Sequence, residues 1–165
     1  MRALVDRHAA PLVATARRLL GSQADAEEVV QEVFLRVWTN AAKWQPGRAS
    51  FATWMHRVAV NLCYDRLRRR REVTVEVMPD PADPAAPPDA ALDQATLARR
   101  LDAELQALPE RQRAALVLCH YQGLSQNEAA EILEISVEAL ESLLSRGRRR
   151  LKEKLADMAG LYFDA

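Results

Sequence analysis

An all-α fold is predicted, made of two small helical domains joined by a flexible, proline-rich acidic linker, and three observations predict it. Only five of the 165 residues are glycine and about half are apolar, alanine and leucine above all, a composition that favours helices over sheets. Apolar residues recur at three- and four-residue spacing through most of the chain, the signature of amphipathic helices. The exception is TVEVMPDPADPAAPPDA, which holds five of the eight prolines and almost no large apolar residue after Met78. Such a segment cannot bury enough surface to fold alone and is expected to be extended.

The first helix is predicted over residues 2–20, with Leu4, Val5, Leu12, Val13, Ala16, Leu19 and Leu20 on one side. Pro11 should kink it or mark a restart, and Gly21 is placed to end it. Asp25 then offers an N-cap with Glu28 three residues on, a capping box in form. The helix it opens should run to about residue 42, turning Val30, Val33, Val37 and either Trp38 or Ala41 inward. KWQPGRAS reads as a loop, because Pro46-Gly47 breaks regular structure, and Ser50 can cap a third helix over residues 51–70.

Helices should resume near residue 89, with Leu97, Leu101, Leu105 and Leu108 as the core stripe. Pro109 suits the first position of a new helix, which Gly123 ends. Ser125 and Glu128 form a second capping box, and Ser136 caps the last helix. A short helix, a tight turn and a longer basic helix make a helix-turn-helix pattern. The expected domains are residues 1–72 and 89–165, with the linker at 73–88. At ~3.1 Å per residue, an extended tether of nineteen or so residues would reach about 60 Å.

The formal net charge is zero, but the charge is segregated. RLRRRR at 66–71 holds five arginines and no acid. Residues 146–154 hold four arginines, two lysines and one glutamate, and residues 72–93 hold six acids and no base. Basic helix ends flanking an acidic tether point to a polyanion partner.

Enzymatic chemistry finds little support. No glycine-rich phosphate loop, metal-ligand spacing or nucleophile–base set is present, so neither a metal nor another cofactor is expected. Cys63 and Cys119 lie far apart among helical apolar residues and are expected to be reduced thiols. No apolar run approaches the roughly 18–20 residues of a membrane span, and the start MRALVDRHAA lacks a signal-peptide core. A cytoplasmic protein without membrane insertion is therefore expected.

Three surfaces carry binding potential. Glu28, Gln31 and Glu32 share one helix face while Val30 and Val33 turn to the core; this is either a solvated face or a docking face for a partner helix. In WQPGRASFATWMHRVAVNLCYDRLRRRR, Trp44, Phe51, Trp54 and Tyr64 are interleaved with Arg48, Arg57, Asn61, Arg66 and Arg68. Aromatic faces to stack bases and guanidinium groups for phosphates are what a single-stranded nucleic-acid site requires, although Phe51 and Trp54 also suit a core. The third surface is the helix-turn-helix, where Arg146, Arg148, Arg149 and Arg150 can meet phosphates.

DAEEVVQEVFLRVW, WQPGRASFATWMHRVAVNLCYDRLRRRR and LPERQRAALVLCHYQGLSQNEAAEILEIS, in that order, resemble bacterial extracytoplasmic-function (ECF, group 4) RNA polymerase sigma factors of the sigma-70 family. The resemblance spans nearly the whole chain outside the tether, although the lead-in to the first helix is short for the family. It implies a non-catalytic initiation factor, nucleoid-associated when active, whose partners are core RNA polymerase (β′ clamp helices and β subunit), promoter DNA and an anti-sigma factor.

By resemblance, Glu28, Gln31, Glu32 and Trp38 form the face for the β′ clamp helices. Arg48, Phe51, Trp54, Arg57, Asn61, Arg66 and Arg68 form the −10 strand site, with Arg57 and Asn61 flanking a flipped-out base. Ser142, Arg146 and Arg149 would meet the −35 element in the major groove. The acidic tether either imitates a nucleic-acid strand in the polymerase channels or is merely solvated.

The chain also departs from the family's pattern. Glu141 stands where a lysine is common, Leu143 where an arginine is common, and Glu134 where the turn usually has glycine. Glu138 and Glu141 either accept from cytosine N4 or serve the helix N-terminus. Two rival readings are a stand-alone helix-turn-helix regulator and a regulatory decoy of a sigma pathway.

Overall fold

The computed structural model describes residues 2–45, 49–76 and 94–163, and these form helices and short connections with no strand among them. Helix α1 spans Arg2–Leu20, α2 Gln23–Asn40, α3 Phe51–Glu76, α4 Gln94–Ala107, α5 Glu110–Leu116, α6 Gln126–Leu133 and α7 Val137–Phe163. A 3₁₀ turn at Ala41–Lys43 follows α2, and α5 continues into a π-helical turn at Val117–Tyr121.

Each helix starts and stops for a chemical reason. Pro11 marks no restart: α1 runs unbroken through it, with Thr15 Oγ1 donating to the Pro11 carbonyl at 2.9 Å. Gly21 ends it with φ +71°, a left-handed conformation that favours glycine. The cap of α2 is Ser22, not Asp25: the Asp25 amide donates to Ser22 Oγ at 3.2 Å. Asp25, one turn in, is free to bind arginines from α3. The capping box at Ser125 and Glu128 is fully formed, at 3.1 and 2.9 Å. Ser50 and Ser136 accept from the amides of Thr53 and Ala139, both at 3.1 Å.

Helix α3 outruns its expected end near residue 70, and so passes the expected domain limit at 72. No breaker occurs before Pro79, and Thr74 Oγ1 donates to the Arg70 carbonyl at 2.7 Å. The rest of the linker, from residue 77, lies outside the described residues.

Helices α1, α2 and α3 pack around Leu12, Leu19, Val29, Val33, Met55 and Val60. Helices α4–α7 pack around Leu105, Leu118, Ile132, Leu140 and Leu144. Gly147 lets α7 approach α5 closely, since a Cβ there would sit 2.8 Å from Leu116 Cδ1. The two bundles also pack on each other, α1 against α4 and α5, and α3 against α6, so the buried residues form one continuous cluster.

Cys63 is fully buried, and burial pushes its thiol up to about 12. Iodoacetamide at neutral pH is therefore expected to spare Cys63 in the folded chain and to modify it only in denaturant, as peptide mass mapping would read.

Candidate functional site

The outward face of α2 carries Glu28, Gln31, Glu32, Leu35 and Trp38 along one stripe. Trp38 is 69% exposed and Leu35 61%. The inward alternatives at Trp38 and Ala41 are both overturned: each is exposed, and Val37 alone of that turn is buried. Leu35 was not singled out from the sequence, yet it lies four residues after Gln31 on the same stripe, so helical spacing could have found it. Glu32 pairs with Arg36 at 3.1 Å, and Glu28 accepts from Arg66 Nη2 at 2.8 Å. The face is thus acidic at one end and apolar at the other.

The second surface lies on α3 and the chain leading to it. Trp44, Phe51 and Trp54 form a half-buried aromatic cluster, with ring centroids 5.4 and 5.5 Å apart in sequence. His8 of α1 meets Phe51 edge-on at 6.4 Å. Phe51 and Trp54 also pack on the core, so the two readings of these residues are compatible. Arg57, Asn61 and Arg68 continue along the same side of α3, Asn61 and Arg68 being exposed. Arg48 lies outside the described residues.

Arg66 is not with them. It faces α2, donating to Asp25 at 3.3 Å and to Glu28 at 2.8 Å. Arg70 binds Asp25 and the Leu20 carbonyl, Arg68 pairs with Asp65 at 2.9 Å, and Arg71 pairs with Glu110. Four of the five arginines at 66–71 are therefore already engaged. Being partly exposed, these pairs are worth at most about 1 kcal/mol each and exchange readily for other anions.

Arg57 itself is held by α6. Its Nη2 donates to the Glu131 carbonyl at 2.9 Å, and its Nε lies 3.8 Å from the Glu134 carboxylate. Glu134 is the one non-glycine residue with positive φ among those described (φ 57°, ψ 42°). It ends α6 in a Schellman arrangement, with the Ile135 amide donating to Ala130 at 3.0 Å and its own amide to Glu131 at 3.2 Å. A side chain in this conformation costs about 1–2 kcal/mol relative to a right-handed one.

Beside Arg57, His56 is buried. Its Nδ1–H donates to the Ala52 carbonyl at 3.0 Å, and its Nε2 is buried without a partner. Burial lowers its pKa from 6.5, with only partial opposition from that hydrogen bond. Below pH 6.5 the unfolded chain therefore binds the proton that the folded chain resists, and stability falls until the depressed folded pKa is passed. The melting temperature should drop on acidification through this window, and His56→Met should flatten the drop.

The third surface is the outer side of α7. Ser142, Arg146 and Arg149 are exposed at i, i+4 and i+7, so they share one face, with Glu138 and Ser145 beside them. Neither Arg146 nor Arg149 is ion-paired among the described residues, whereas Arg148 donates to His120 Nε2 at 2.9 Å. Leu143, the position at which the family pattern commonly has an arginine, is half-buried and packs on the core.

Sigma-70 region 2 matches residues 4–73, and Sigma-70 region 4 matches residues 98–151. SigW of Bacillus subtilis, an ECF RNA polymerase sigma factor, is 30% identical over 94% of this chain and 88% of its own length. The chain belongs to the ECF RNA polymerase sigma factors. The ECF sigma factor SigE of Mycolicibacterium smegmatis is 39% identical, although this chain spans only 60% of it.

Two solved structures share the fold. Sigma factor RpoE, in complex with the anti-sigma factor NepR of Bartonella quintana, superposes with TM-score 0.73 at 27% identity, over 94% of this chain and 95% of that one. CnrH, in complex with the cytosolic domain of CnrY, gives 0.70 at 30% identity over 94% and 86%. ECF sigma factors are transcription initiation factors, not enzymes. Among the described residues no helix is long and apolar enough to cross a membrane.

Proposed function

We propose that this chain is a group 4 sigma factor that binds core RNA polymerase through α2 and directs it to promoters bearing a −10 strand site and a −35 duplex site. The observation that carries the reading is the exposed stripe on α2, where carboxylates and an amide lead into two solvent-facing apolar side chains. A solvated helix face has no need of an exposed tryptophan beside a leucine, whereas an interface anchor does.

In this reading Glu28, Gln31, Glu32 and Trp38 meet the β′ clamp helices, and the C-terminal bundle contacts the β subunit. Phe51, Trp54, Arg57, Asn61 and Arg68 capture an unwound −10 strand, joined by Arg48 and by Arg66 once its carboxylate partners yield it. Extruding a base costs a few kcal/mol of unstacking, recovered by stacking and edge hydrogen bonds. The exposed face of Ser142, Arg146 and Arg149 enters the −35 major groove. With two modest DNA sites joined through one large polymerase, affinity comes from effective concentration. The free protein is therefore expected to bind promoter DNA poorly.

An anti-sigma factor is proposed as the regulatory partner, because RpoE is a similar chain seen in such a complex. The working compartment is the bacterial cytoplasm. Run-off transcription with purified core enzyme and a fragmented genomic template tests the reading: discrete transcripts that require the chain are expected. Their absence from every fragment would refute it.

A further inference from the structure

We propose that the turn of the helix-turn-helix is an internal lock on the strand-capturing face, with the Glu131 carbonyl and the Glu134 carboxylate occupying the Arg57 guanidinium in the free chain. The inference deepens the strand-capture reading and rests on it. Arg57 is the cation that the proposed −10 site offers to a captured base, and across the seam its Nη2 donates to the Glu131 carbonyl while its Nε, buried without a hydrogen bond, lies 3.8 Å from the Glu134 carboxylate. Helix α6 itself lies against α3, so a strand cannot engage the Arg57 guanidinium without displacing these contacts, although Asn61 stays exposed.

The locking residue has an unusual backbone. A left-handed turn that ends a helix is best served by glycine, and glutamate at this position adds backbone strain. Its carboxylate, 62% exposed, makes its one ion pair among the described residues with Arg57. Local helix formation gains nothing from this residue, whereas the seam gains a charge aimed at the strand-reading cation.

The rest of the seam combines buried apolar packing and the buried Arg113, which donates to the Leu19 carbonyl, with more exposed polar contacts. Arg71 pairs with Glu110 across it, Gln106 donates to the Arg18 carbonyl, and Arg18 lies 4.2 Å over the Tyr121 ring. These side chains end in polar groups that water or nucleic acid can satisfy once the seam opens. The −35 face of α7, in contrast, stays exposed in the closed chain. The lock thus bears on one DNA site and leaves the other open.

Glu134→Gly removes the carboxylate and the backbone strain together, so loss of folding cannot imitate its effect. Glu134→Gln removes the charge and keeps the turn. Two readouts on the full chain serve: the radius of gyration from small-angle scattering, and fluorescence-anisotropy affinity for a random-sequence single-stranded 20-mer pool. Both variants are expected to show a larger radius and roughly two- to fivefold tighter strand binding at low salt, the scale of one partly exposed charged contact. Arg57→Ala is expected to show the larger radius without tighter binding.

An unchanged radius in both Glu134 variants would overturn the lock and leave the strand-capture reading to its own transcription assay. A larger radius with unchanged strand affinity would overturn the inhibitory role by showing that the freed face does not capture a strand.

Discussion

Replacing Arg113 by leucine is expected to destabilise the folded chain by about 3 kcal/mol, on the scale of a buried charged hydrogen-bond donor whose partners are left behind. Arg113 is only 6% exposed. Among the described residues no carboxylate is bonded to it; instead its Nη1 and Nη2 donate to carbonyls at two helix ends. One is the Leu19 carbonyl in the last turn of α1. The others are Gln106 and Leu108 at the end of α4, at 3.0 and 3.1 Å, with Gln106 Oε1 also at 3.1 Å.

The carbonyl ends of helices carry partial negative charge, so two of them facing one guanidinium make a reasonable site for a buried cation. Burial still lowers the Arg113 pKa from its ordinary value, which measures how tightly it is enclosed. Leucine would fill the space and orphan the acceptors. For a chain of this size the loss should lower the melting temperature by about 6–12 °C, read by circular dichroism. Lysine keeps the charge but cannot span the fork of carbonyls, so it should recover less than half of the loss. A cost below about 1 kcal/mol for leucine would mean that water replaces the guanidinium.

How far such features were legible in advance depended on the range of the interactions that fix them. Helix positions and most stops were legible, because capping residues, Gly21, Gly123 and the apolar spacing act within a few residues. The misassigned cap at Asp25 shows the limit: Ser22 and Asp25 both suit an N-cap, and the choice is settled by Arg66 and Arg70, some forty residues away. Trp38 was ambiguous for a similar reason, since its turn offered it and Ala41 for the core beside Val37, and Val37 alone is buried.

The basic run at 66–71 misled as a bare patch, since sequence gives charge but not pairing, and most of its arginines are spoken for by Asp25, Glu28, Asp65 and Glu110. Arg113 and the Arg57 contact with α6 had no local signal at all. They depend on the closure of two bundles across a tether, a long-range event that no short motif encodes. The glutamate at 134 was visible as a departure from a glycine-bearing turn, but its partner was not.

The largest functional effect is expected on α2, from Trp38→Ala combined with Leu35→Ala. Both side chains face solvent in the free chain, so their removal should leave the thermal unfolding curve within about 0.5 kcal/mol of the original. Binding to core polymerase should nonetheless weaken by about 3 kcal/mol, roughly a hundredfold in Kd, the scale for paired aromatic and aliphatic anchors at the centre of an interface.

Lysine substitution at Gln31 and Glu32 should act differently. Those positions flank the anchors, and replacing a neutral amide and a carboxylate by cations should slow association with a basic partner and invert its salt dependence. Biolayer interferometry with immobilised core enzyme separates the two, because the apolar pair acts on dissociation and the charged pair on association. If the alanine pair left dissociation unchanged while the lysine pair abolished capture, the face would be electrostatic throughout. Binding unchanged in both would move the docking surface off α2 altogether, and the exposed tryptophan would then need another partner.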